Sequence, residues 1–118
     1  MTQMIEVKTA ELIGPALDWA VAGGASDTPY WARMFQQCVL TGKTHGGIDF
    51  KYAPSEYWSQ CGHLIEKHLL SLKMTGTETW VAIVEECNGI GPTPLIAACR
   101  AIVAAKLGDV VSVPAELI

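Results

Sequence analysis

The sequence predicts an α+β fold, a small and largely antiparallel sheet packed with helices. Three observations carry this. Short runs alternate apolar and polar residues with the two-residue period of a half-buried strand, as in Ile5-Glu6-Val7-Lys8 and Leu70 to Met74. Pro15, Pro29 and Pro94 each stand where a helix can begin, ahead of residues that recur at helical spacing or form an apolar run. Strands and helices do not alternate regularly, so no parallel βαβ sheet is expected.

In chain order, Ile5 to Lys8 reads as a strand. Proline is tolerated only in the first helical turn, so Gly14-Pro15 opens a helix that Gly23-Gly24 should stop. Thr28 and Pro29 form an N-cap and first position for a second helix, with Tyr30, Trp31, Met34, Phe35 and Cys38 on its core face. Gly42 to Gly47 is loop, and Ile48, Phe50 and Tyr52 alternate as a strand would. Pro54-Ser55-Glu56 begins a further helical stretch in which Tyr57, Cys61, Leu64 and Ile65 share a face. A β-hairpin is expected over about 69–86, turning at Thr75 to Glu78, with Asn88-Gly89 a later turn. Thr93, Pro94 and Gly108 bound the clearest helix, which is apolar nearly all round and so buried on more than one side. Leu95, Ala98, Cys99, Ile102 and Val103 should pack against the hairpin through Trp80 or Ile83. Val110 to Val113, ended by Pro114, can add an edge strand.

The chain's 118 residues fit one domain, 1–118. Half of them are hydrophobic and only 17% charged, which excludes disorder. A net charge of −4 argues against a duplex-DNA binder with a broad basic face. No apolar run approaches the roughly 20 residues of a membrane span. Met1 to Glu6 lacks a basic segment leading into a long apolar one, so a cytoplasmic protein is expected. Cys38, Cys61, Cys87 and Cys99 are then read as reduced and mostly buried thiols.

No residue pattern specifies a reaction. Gly42-Lys43-Thr44 lacks the earlier glycine and the following helix of a phosphate-binding loop. Cys61 and His63 are two apart and diverge on a helix, and His45, His68 and Cys87 supply no second close pair, so no metal is expected. Glu85 and Glu86, adjacent in the expected strand, would face opposite sides and make no acid/base pair. The best small-ligand position is Gly89, Gly91 and Thr93, a glycine approach to a helix N-terminus that can meet an anion. Against it, Pro94 removes one amide and helix capping alone accounts for Thr93. Trp19, Trp31 and Trp80 fit the core. Trp58 lies off the apolar face of its helix, and with Tyr52 and Tyr57 forms the candidate partner-contact patch.

Val7-Lys8-Thr9 with Leu17-Asp18-Trp19-Ala20-Val21-Ala22, then Tyr52-Ala53-Pro54-Ser55-Glu56-Tyr57-Trp58-Ser59-Gln60, then Gly91-Pro92-Thr93-Pro94-Leu95-Ile96-Ala97-Ala98, fall in order along the chain. Together with Lys106-Leu107-Gly108-Asp109 and Val113-Pro114 they resemble the NinX-type family of phage-encoded small proteins. The resemblance covers about residues 5 to 117 and departs at Cys61-Gly62-His63, where relatives read Gly-Gly-Pro. It implies a phage or prophage gene acting in the bacterial host cytoplasm, from a family with no established biochemical function. A fainter likeness is to the phage α/β/α-sandwich domain, which would place helices on both faces of the sheet.

The expected function is that of a non-enzymatic phage accessory protein that binds a host or phage protein and uses no cofactor. The alternative is a small-ligand or nucleotide-handling enzyme using loop 88–93. A nucleic-acid-associated role ranks third, because Lys51 and Lys67 are the only basic residues near the aromatic patch. A homodimer is expected because the last helix carries only Arg100 and Lys106 as charges, unless the sheet and other helices cover it within one chain.

Overall fold

The computed structural model describes residues 3–25, 29–41, 51–68, 70–76 and 78–118. Strand β1 (Met4–Lys8) leads through a 3-10 turn at Thr9–Glu11 to helices α1 (Gly14–Ala25) and α2 (Pro29–Thr41). Helix α3 (Trp58–Lys67) precedes three strands, β2 (Ser71–Met74), β3 (Trp80–Val84) and β4 (Cys87–Gly91). Helix α4 (Pro94–Leu107) and strand β5 (Val110–Pro114) follow, then a short 3-10 turn. The fold is α+β, with two antiparallel sheets: a β2-β3-β4 meander and a β1-β5 ribbon.

Helix α4 is the centre of the molecule. Thr93 Oγ1 accepts from Ile96 N at 3.1 Å, Pro94 opens the helix, and Gly108, at φ 98°, ends it with bonds to Val103 and Ala104 carbonyls. Leu95, Ala98, Cys99, Ile102 and Val103 are all buried. The meander covers one side of α4 and α1 another, so most of this charge-poor helix is enclosed within the chain, with Lys106 and Leu107 exposed at its C-terminal end. Trp80 packs against this core, but Ile83 points to the opposite face of the sheet, where it and Ile90 are exposed. Among the described residues no helix covers that face, so they do not form the α/β/α sandwich.

Several local expectations give way to tertiary packing. Helix α1 runs through Gly23-Gly24 instead of stopping there. A Cβ on Gly24 would stand 3.2 Å from Lys106 Cβ, so the glycine serves helix contact. Asn88-Gly89 is not a turn. The chain reverses at Glu85-Glu86, both at positive φ, and these two acids are turn residues. Cys87 to Gly91 then form the unexpected strand β4. Its Gly89 lets α4 approach so closely that a Cβ would overlap the Ala97 carbonyl and the Ala101 amide. Helix α3 starts at Trp58, because Pro54 to Glu56 make a tight turn. Tyr52 is in no strand, and Thr28, Ile48 and Phe50 lie outside the described residues. Trp31, expected in the core, is 45% exposed because α2 packs chiefly on α1 and buries only Cys38 fully.

Candidate functional site

Buried carboxylates are rare, and Asp18 is one, 3% exposed within the apolar run of α1. Its Oδ1 accepts from Ser55 N at 2.9 Å, which fixes the turn ahead of α3 onto α1. Burial pushes the Asp18 pKa up to about 6, against the opposing pull of the Ser55 hydrogen bond. The same turn is held from its other end. Gln60 Oε1 accepts from Ala53 N at 2.6 Å, and Gln60 Nε2 donates to the Lys51 carbonyl at 2.8 Å. The Ala53 carbonyl accepts from the amides of Glu56 and Tyr57 at 2.9 and 3.0 Å.

This bracing explains most of the segment's side chains. Tyr52 stacks on Phe35 of α2, with centroids 4.6 Å apart and planes 15° from parallel. Burial raises its hydroxyl pKa, so it stays neutral. Pro54 and Ser55 are buried. Lys51 Nζ lies 2.7 Å from Glu56 Oε2, which raises the lysine pKa, and 5.7 Å from the Tyr57 ring centroid. Behind the turn, the buried Cys61 and Cys99 thiols share a hydrogen bond between α3 and α4, and that bond with burial holds Cys99 well above the usual thiol range. Tyr57, 42% exposed beneath the Lys51 ammonium, and Trp58, 57% exposed, are the segment's large side chains left open to solvent.

Of the three aromatics predicted as a patch, the structure thus leaves Tyr57 and Trp58 exposed at the start of α3 and turns Tyr52 inward. Asp18 and Gln60, which position them, were not singled out in the sequence. An acid inside Leu17-Asp18-Trp19-Ala20 was the available signal for the first. Asp18 and Ser55 are both buried.

The other predicted position is divided. Gly89 and Gly91 are buried against α4, and Thr93 is exposed with its hydroxyl engaged in the cap. Gly89 borders a cleft of about 320 Å³ that Lys8, Asn88, Arg100 and Asp109 also line. Arg100 spends its guanidinium on the carbonyls of Leu12 and Ile90, at 2.8 and 2.7 Å, and tolerates partial burial that lowers its pKa. Among the described residues no three His, Cys, Asp or Glu side chains gather as metal ligands, and all four cysteines are free. A family model described as "Bacteriophage P22, NinX" matches residues 8–106 of the chain. No curated protein matches it.

Proposed function

The chain belongs to the bacteriophage P22 NinX family, and from that premise we propose that this phage accessory protein acts by binding a protein of the host or the phage. The observation that carries the reading is the pair Tyr57 and Trp58, exposed on a turn that Asp18 and Gln60 hold rigid. Large aromatic side chains dominate the energetics of protein interfaces, and a surface fixed before contact loses little entropy on binding. The setting is the host cytoplasm. No helix among the described residues is long and apolar enough to cross a membrane.

The test is affinity capture from host lysate, with and without phage proteins, comparing the wild type with a Tyr57→Ala, Trp58→Ala double variant. A partner held in nuclease-treated lysate should bind the double variant about 30-fold more weakly, the loss of a two-kcal/mol contact. Recovery that depends on nucleic acid, or that the double variant leaves unchanged, counts against the proposal. A second reading, a small-ligand or nucleotide-handling enzyme using loop 88–93, attaches to the cleft beside Gly89, which Lys8, Arg100 and Asp109 line. Thermal shift against a nucleotide panel separates it from the first, since a ligand at 100 times its Kd adds about 2.7 kcal/mol.

A further inference from the structure

A groove of about 720 Å³ runs between α2 and β5, away from the Tyr57–Trp58 surface in sequence and in lining. Trp19, Ala32, Arg33 and Leu107 line it together with Val110 to Ser112, and no residue of β1 does. It therefore follows the edge of β5 that β1 leaves uncovered. The register decides which backbone groups stand on that edge. Thr9 N donates to the Asp109 carbonyl and Ala115 N to the Gln3 carbonyl, each at 2.8 Å. These are hydrogen-bonded pairs, so Val7–Val111 and Ile5–Val113 between them are bonded pairs too. Val110 and Ser112 alternate with these, and their N–H and C=O groups point outward into the groove. Both residues are exposed.

We infer that this groove binds an extended segment of a partner protein, which adds as a third strand to the β1–β5 ribbon along Val110 and Ser112. The proposal goes beyond the aromatic surface and does not depend on it. An unpaired strand edge supplies main-chain hydrogen bonds that a docked helix cannot use, since a helix satisfies its own. Side chains of an added strand alternate, so every second residue meets the apolar wall of Trp19, Ala32 and Leu107. The Trp19 indole N–H is buried without an acceptor among the described residues, and Arg33 gives the wall a positive charge. The fitting segment alternates apolar with polar residues and carries an acid. A second copy of this chain fits less well. Two-fold pairing about Ser112 would set each Val110 carbonyl against Pro114 of the other copy, which has no N–H to donate.

The experiment screens a displayed library of random linear 12-residue peptides against the full chain. Enriched peptides should show two-residue apolar alternation. A synthetic representative should slow amide hydrogen exchange at Val110 and Ser112 at least tenfold. Ser112→Pro removes an N–H that β1 does not use and should weaken this peptide at least tenfold, whereas Trp58→Ala should leave it unchanged. Ala32→Arg, which narrows the opposite wall, should act like Ser112→Pro and serves if the proline variant fails to fold. The inference is overturned by a screen without enrichment, by peptides with helical spacing, or by unchanged exchange at the two amides. A dimer in sedimentation that Ser112→Pro dissociates would also overturn it, by giving the edge to a second copy. Loss of binding in Trp58→Ala alone would assign the peptide to the aromatic surface instead.

Discussion

Replacing Asp18 by asparagine tests whether the carboxylate that anchors the α3 turn is held at a cost. Asp18 ionises near pH 6 in the folded chain, against an ordinary value of 3.8. At about 1.4 kcal/mol for each unit, the folded state loses about 3 kcal/mol when this group becomes charged. Well below pH 3.8 both folded and unfolded chains hold the proton, and well above pH 6 both have released it. Between those values the folded chain binds more protons, so the contribution of Asp18 to stability is present in acid and lost as pH rises through 6. The Asp18→Asn variant keeps a side-chain oxygen for the Ser55 N–H and carries no charge there at any pH. Urea unfolding followed by tryptophan fluorescence, at intervals from pH 4 to 7.5, gives the difference in stability between the two proteins. That difference should move in favour of the variant by about 2.5 kcal/mol across the range, since the unfolded carboxyl is already partly ionised at pH 4. A constant difference would refute the argument, because it would mean that Asp18 titrates alike in the folded and unfolded chains.

Three further outcomes are expected. Ile102→Ala should cost about 2–5 kcal/mol in the same unfolding assay, because Ile102 is fully buried between the meander and α1. Gly89→Ala should destabilise by about 3 kcal/mol or more, its Cβ striking the backbone of α4, whereas Gly62→Ala on the open face of α3 should add about 0.5–1 kcal/mol. Equal and small effects would show that α4 does not lie as close to β4 as described. In native thiol titration Cys87 should react first and Cys38, Cys61 and Cys99 slowly, with four thiols counted after denaturation. Fewer than four in denaturant would reveal a disulfide.

What the sequence discloses depends on how local the cause is. Helix α4 is legible to the residue because Thr93, Pro94 and Gly108 act within one turn of its ends. The β1 alternation is legible because Ile5 and Val7 need only one apolar face. Strand β4 is illegible, since Cys87-Asn88-Gly89-Ile90-Gly91 carries turn residues whose reason for being there is the backbone of α4. Conversely, Glu85 and Glu86 have no local preference for positive φ. The reversal there is imposed by the Val84–Cys87 pairing, with Glu85 held 3.2 Å from Lys106. At the candidate site the exposure of Trp58 was readable from its place off the helix face. The inward turn of Tyr52 was not, because it depends on Phe35 lying opposite.

The β1–β5 ribbon joins residues far apart in synthesis, from 102 positions at Lys8–Val110 to 110 at Met4–Pro114. The meander and α4 draw on neighbouring sequence, residues 71 to 107. β1 emerges first and has no strand to pair with until β5 leaves the exit tunnel, about a hundred residues later. Pairings of such long range are the slow ones in folding, because a large loop must close before any contact rewards it. The groove along β5 therefore depends on one of the longest-range pairings in the chain, and the core closes with it, because Val111 and Val113 of β5 belong to that core. A chain cut ahead of β5 would lack both the groove and two core valines, whereas the Tyr57–Trp58 segment and its Asp18 and Gln60 anchors all lie before position 61.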